Sequence, residues 1–344
     1  MRKTAKKWTI AAVALVGVSA VAFAGAVVSV GGDLKKFELT KYQAKAYAVA
    51  EDFDKISIKT SVKMDIVFAL SSDGACRVDA WEAERVKYDV SVRGGVLEID
   101  GDNNRFLHER LFDFSKSKTV TVYLPKTEYD TLTFGGDTSD INLPNDFTFG
   151  SLDITTDTGD VACAATVLDS VKIVTDTGDI EFNSISSVET AVFKTGTGDI
   201  SVKNLSVGGA LSFEMDTGDL YASDLRCGSV SFKMDTGDIT IKNTSVAGNF
   251  TLESDTGDVD MQNVISGGEI SLNTDTGDVK FENCDGETLS IQTHTGDIKG
   301  SLLTEKVFIA YSKAGKVEVP ETVTGGKCSL KSNTGDIVIT LVSA

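Results

Sequence analysis

Proline is nearly missing from this chain, with three in 344 residues against 32 glycines, a balance that excludes collagen and disorder and points to β-rich structure with glycine-dependent corners. Cysteine is sparse too: Cys76, Cys163, Cys227, Cys284 and Cys328 make an odd count with no Cys-x-x-Cys pair. Neither a disulfide framework nor a zinc site is indicated, and the five read as small core residues. Unpaired thiols in an exported chain favour a reducing or anaerobic setting. Basic residues run short where they would matter for nucleic acid. Residues 126–344 carry 35 acidic and 14 basic side chains, a difference of −21, whereas residues 1–125 sum to +3. Such a field repels phosphate, so no nucleic-acid partner is expected, and no polybasic surface is available for membrane docking.

Uncharged residues are present in one long run. Trp8 to Val30 follows the basic start Arg2, Lys3, Lys6 and Lys7 and is long enough to span a bilayer with some tilt. Residues 1–31 are therefore expected to be a single-pass transmembrane anchor that links the chain to the membrane and leaves the C-terminal region extracellular. Ala22-Phe23-Ala24 before Gly25 also fits a signal-peptidase site, and cleavage there would make the protein secreted. Lys35, Lys36, Lys41 and Lys45 nearly balance the charges before the span, so charge asymmetry favours this orientation only weakly.

The rest of the chain is dominated by self-similarity. A corner glycine recurs at Gly159, Gly178, Gly198, Gly218, Gly237, Gly257, Gly277, Gly296 and Gly335, with Ser139 and Gly315 in the same slot of two degenerate copies. Steps of 19 or 20 residues separate them. Alternating apolar residues flank each corner, for example Leu211 and Phe213 before it and Ile239 and Ile241 after it. Each corner thus joins two strands with one face inward. Antiparallel hairpins would not hold so constant a period, and no six-residue period suggests a left-handed hexapeptide helix. The expected fold is all-β: a right-handed parallel β-solenoid (β-helix) of about eleven coils over residues 126–344, preceded by the transmembrane helix and a β cap.

In Asp-Thr-Gly-Asp a type II turn would place glycine at positive φ, and the leading Asp would accept a hydrogen bond from the backbone two residues on. Stacking then sets the aspartates in two files. Asp137, Asp157, Asp176, Asp216, Asp235, Asp255 and Asp275 form one; Asp140, Asp160, Asp179, Asp199, Asp219, Asp238, Asp258, Asp278, Asp297 and Asp336 form the other. Carboxylates stacked at about 4.8 Å repel one another. Either turn amides or bound cations must offset this. The twelve paired corner aspartates from Asp157 and Asp160 to Asp275 and Asp278 are the candidate cation ligands, calcium being the candidate ion. No other cofactor is implied.

Residues 47–125 are strand-rich without the period: Ile56-Ser57-Ile58, Ile66-Val67-Phe68, Tyr88 to Val92, Leu97-Glu98-Ile99 and Val120 to Leu124. They read as irregular first coils or a β cap over the open end, with residues 101–118 a loop or short helix laid over it. The run Phe53 to Ile58, the segment Val120 to Pro125 and the Thr-Gly-Asp-Ile/Val repeats resemble the putative-adhesin family of bacterial surface proteins, over about residues 47–344. That resemblance implies a β-strand repeat domain of unknown function behind an N-terminal membrane segment, and it supplies no catalytic residue.

Enzyme chemistry finds little support in the residues. Asp-Thr-Gly marks aspartic proteases, but two such motifs must converge on one water, whereas here they recur along a line. A pectate-lyase-like β-helix enzyme needs long catalytic loops, and this array has almost no insertions. The breaks are Gly196, His294 and the corner Ser312-Lys313-Ala314-Gly315-Lys316. His294 beside Asp297 is the one acid/base candidate, and a lone corner histidine is more often a surface substitution; His108 has no identifiable partner. The expected function is a non-enzymatic cell-envelope protein presenting an acidic solenoid to an extracellular protein or glycan. An accessory or sensory part of the envelope stress response is the alternative, and a carbohydrate-binding or polysaccharide-active β-helix is third.

Overall fold

The structure, a computed structural model, describes residues 41–103 and 118–342. The Trp8–Val30 segment and most of the 101–118 segment lie outside the described residues. Among the described residues no helix is long and apolar enough to cross a membrane.

The chain is an all-β parallel solenoid of about eleven turns, its strands joined into one 28-stranded sheet. Each coil lays one strand before its corner and one after it, and each pairs in parallel with its equivalent one coil away. Leu211, Phe213 and Met215 stand beside Val230, Phe232 and Met234, while Ile239 and Ile241 stand beside Val259 and Met261. Antiparallel hairpins at the corners are thereby excluded. The period-2 apolar positions point inward: Leu152, Ile154, Ile173, Phe213, Phe232, Ile241 and Ile291 are all buried. Phe193, Phe213 and Phe232 stack on successive coils with centroids 5.5 and 4.9 Å apart. Large rings at one register position fill the core along the axis, which is how neighbouring coils bury what one coil cannot. All five cysteines are free and buried in this core. Burial pushes their thiols up to between about 11 and about 12.

Residues 47–125 are less irregular than their sequence suggests. Lys55–Thr60 and Met64–Leu70 form a coil in parallel register with the 128–143 coil. Their corner has no Thr-Gly-Asp; instead the Thr60 hydroxyl accepts the Val62 amide at 2.9 Å. A second coil, Val96–Asn103 and Lys118–Leu124, stacks outside the first although it follows it in sequence. Antiparallel strands are added to the outer edges of that coil: Val86–Arg93 on one side, Cys76–Glu82 and then Gln43–Val49 on the other.

The C-terminal end is also out of order. The last strands, Gly326–Thr334 and Ile337–Leu341, sit directly on the 288–302 coil. Lys306–Ser312 and Val317–Glu318 precede them in sequence yet stack outside them. A buried ion pair crosses the inserted coil: Lys306 Nζ lies 2.6 Å from Asp285 Oδ1 with side-chain exposures of 5% and 12%. Lys306 stands beside Gly326, where no side chain blocks the path; a Cβ there would also lie 1.8 Å from the Glu287 carbonyl oxygen.

Candidate functional site: the aspartate corner face

The corner is not the expected type II turn. Its glycines take φ between 135° and 157°, beyond the roughly +80° of that turn. Stacking is the second demand on glycine. A Cβ on Gly237 would lie 1.8 Å from the Gly218 carbonyl oxygen, and one on Gly257 would lie 1.8 Å from that of Gly237. Both the backbone conformation and the neighbouring coil therefore select glycine.

The two aspartate files differ in kind. In the file after the glycine, each carboxylate accepts the backbone amide of its equivalent on the next coil. Asp179 N–H donates to Asp160 Oδ1 at 2.8 Å, Asp219 to Asp199 at 2.8 Å, Asp238 to Asp219 at 2.9 Å, Asp258 to Asp238 at 2.8 Å and Asp278 to Asp258 at 2.8 Å. The ladder begins at Asp140, runs through Asp297 and Asp336, and ends where the Lys316 amide donates to Asp336 at 2.8 Å. Amide dipoles thus offset the stacked charge on this file. Lys299, 2.7 Å away, and the Asp336 amide hold the Asp297 carboxyl below its usual range.

The file before the glycine is exposed. Among the described residues the side chains of Asp157, Asp176, Asp216, Asp235 and Asp255 make no hydrogen bond, and that of Asp275 meets only His294, whose Nδ1 lies 3.0 Å from its Oδ1. His294 thus pairs with Asp275 of the preceding coil, not with Asp297. Gly196, Asn333 and Lys313 occupy this slot on other coils, which leaves an unbroken run at Asp216, Asp235, Asp255 and Asp275. The twelve candidate ligands therefore divide evenly, six in the ladder and six in the exposed file. Among the described residues no three or more His, Cys, Asp or Glu side chains converge as a metal centre would require.

Two further sets of contacts between coils carry no signal in the Asp-Thr-Gly-Asp spacing. On some coils a buried hydroxyl three positions before the glycine reaches back to the neighbouring coil's corner carbonyl, as Thr195 does to Gly178 at 3.0 Å, Thr293 to Gly277 at 3.2 Å and Ser332 to Gly296 at 3.0 Å, whereas Ser254 and Thr274 do not and Met215 and Met234 fill the slot elsewhere. Six positions after the glycine, Asn204, Asp224, Asn243, Asn263 and Asn283 take φ between 48° and 59°. Their side chains bond along the axis, as in Asn263 Nδ2 to Asn243 Oδ1 at 2.9 Å. Asparagine is among the few residues at home in that conformation, so its recurrence at a fixed offset is the signal. Elsewhere, at the far end of the strands from the corners, an open groove of about 840 Å³ holds the Lys126–Asp54 pair at 2.8 Å between Leu70, Tyr129 and Leu168.

None of the curated protein sequences matches the chain. Among solved structures it resembles one described as a putative adhesin from Bacteroides fragilis, at 14% identity and TM-score 0.34, covering 87% of this chain and 97% of the other. A putative lipid binding protein from Parabacteroides distasonis aligns at 14% identity and TM-score 0.41, covering 76% and 96%. A putative cell adhesion protein from Clostridium sporogenes aligns at 10% identity and TM-score 0.18, covering 88% and 100%. The sequence pattern of one family fits residues 53–244 and, overlapping, 226–344, as a chain of stacked repeats should. The chain belongs to the Toastrack DUF4097 family.

Proposed function

We propose that this is a non-enzymatic cell-envelope protein that presents the exposed aspartate face of its solenoid to a partner outside the membrane, with the Trp8–Val30 segment as its anchor. One observation carries the reading: exposed corner carboxylates stand on four successive coils, at Asp216, Asp235, Asp255 and Asp275, with no intervening insertion, so the surface offers several equivalent weak contacts along a stiff axis. Valency of this kind suits adhesion or display, because linked contacts raise avidity without any single strong site. The partner is a protein or glycan that meets the row with basic groups.

Intact cells provide the test. Protease added outside should remove the solenoid, and the mature N-terminus should retain Trp8–Val30 by mass spectrometry. Protection of the solenoid from external protease would overturn surface display; a chain beginning at Gly25 would replace the anchor with secretion.

A further inference from the structure

We propose that the chain self-associates through its C-terminal end, two copies pairing their outermost strands, Lys306–Ser312, antiparallel about a two-fold axis at Ile309. On one side this strand pairs with Gly326–Thr334; on the other it meets no strand among the described residues. An unpaired edge is a template for another chain, and natural proteins usually make such edges polar. This one is apolar. Its outward side chains Val307, Ile309 and Tyr311 are 39%, 56% and 58% exposed. Ile309 stands in line with Ser329, Ser290 and Ser271 of the inner coils, and Tyr311 with Lys331, Gln292 and Asn273. Its inward Phe308 and Ala310 are only half-buried, although their neighbours Cys328 and Leu330 are fully buried.

The corner chemistry decides how the edge is covered. Another coil in parallel register would need a carboxylate to receive its corner amide, and the outermost corner has Lys316 in place of aspartate. Gly315 also lacks the positive φ of the inner corners, and Pro320 follows the short strand Val317–Glu318. Parallel continuation into a filament is blocked. Antiparallel pairing needs no corner, and it is how the chain itself extends the outer coil at its other end, with Val86–Arg93 on Val96–Asn103.

Charge and shape favour a second copy as the occupant. Residues 126–302 hold 31 acidic and 9 basic side chains, whereas residues 303–344 hold 4 and 5, so this end escapes the repulsion of the body. With Ile309 opposite the partner's Ile309, Phe308 faces the partner's Ala310, large against small in the core. Val307 faces the partner's Tyr311 on the outside. Glu305, whose carboxylate accepts the Thr324 hydroxyl, faces the partner's Lys313, twice by symmetry. Each core would then run on into the other.

The full chain, purified in mild detergent, should sediment as a dimer of solenoids at micromolar concentration. Ile309→Cys should give a covalent dimer on mild oxidation or with a short thiol crosslinker, because directly opposed Cβ atoms lie about 4.5–5.5 Å apart. The native thiols are buried, and Ile185→Cys, at a position 87% exposed, serves as the control that should stay monomeric. Lys313→Glu should abolish the dimer, and adding Glu305→Lys should restore it, which separates loss of pairing from loss of folding. A monomeric parent chain, crosslinking at Ile309→Cys no greater than at Ile185→Cys, or failure of the double swap to rescue would each overturn the proposal. None of these outcomes bears on display of the corner face, which the protease experiment decides separately.

Discussion

At the residue scale, one corner holds aspartates of the same type in unlike roles, and substitution should separate them. Asp219→Ala leaves the Asp238 amide without its acceptor and should cost about 1 kcal/mol. Asp216→Ala, three residues earlier, removes an unbonded carboxylate from an acidic row and should leave stability unchanged or raise it. Urea melts of the two variants side by side check this; equal effects would mean that the ladder contributes nothing. Gly237→Ala should be far worse, about 2–4 kcal/mol, because strain at φ 138° adds to a Cβ placed 1.8 Å from a carbonyl oxygen. The sequence displays the glycines plainly, since a fixed period exposes any position that tolerates one residue. It does not tell a turn requirement from a stacking requirement, because both end in glycine. Nor does the spacing of the aspartates show that one file is bonded and the other free, since that depends on which side of the glycine points along the axis.

At the scale of elements, the periodic middle was legible and the ends were not. The apolar alternation and constant step imply parallel in-register strands, and every inner coil follows them. At the C-terminus, however, the copies centred on Gly315 and Gly335 both keep the step, so nothing in the spacing shows that the second is inserted inside the first. The degenerate corner at Lys313–Lys316 was the available clue, because a coil that ends a stack has no neighbour to bond. The Lys306–Asp285 pair fixes this order, and Lys306→Ala should cost about 3 kcal/mol by leaving a buried carboxylate unpaired. The double variant Lys306→Met with Asp285→Leu should recover most of that loss in the same melts; additive losses would mean that the two side chains do not act as a pair.

The N-terminal strands are tied by a different polar cluster. Burial alone would push the Glu82 carboxyl up, but hydrogen bonds from the Tyr47 hydroxyl, Lys45, Lys87 and the Tyr88 amide outweigh it and hold the group at about 2, against 4.5 for a free glutamate. A carboxyl depressed in the folded state stabilises fully above its unfolded pKa, and that contribution fades as pH falls from about 4.5 towards 2. Trp81 sits in the same strand and reports on it. Its fluorescence should show these strands loosening across that window, and Glu82→Gln should flatten the dependence. A change already complete above pH 5 would assign it to another group.

For the whole molecule, charge is the property that a stacked architecture amplifies, because each coil repeats it at about 4.8 Å. Asp216, Asp235, Asp255 and Asp275 form the longest unbroken exposed run, and each neighbouring pair repels by somewhat under about 1 kcal/mol in water-like dielectric. The run is bounded on both sides. At the Gly196 gap Lys194, paired with Glu214 at 2.8 Å, also feels Asp216 and Asp176; at the other end His294 meets Asp275. His294→Asp would lengthen the run by one carboxylate and remove that contact. Its melting temperature should fall below that of the parent in low salt and recover at high sodium chloride, where a Debye length of about 3 Å at 1 M screens neighbours at coil spacing. The parent should show the same trend more weakly, since amides already neutralise the other file. Calcium matched to sodium in ionic strength distinguishes screening from bridging. Among the described residues no three carboxylates converge beside this file as a bound ion would require, so the two salts should stabilise equally; an excess from calcium would mean that ions bridge adjacent coils.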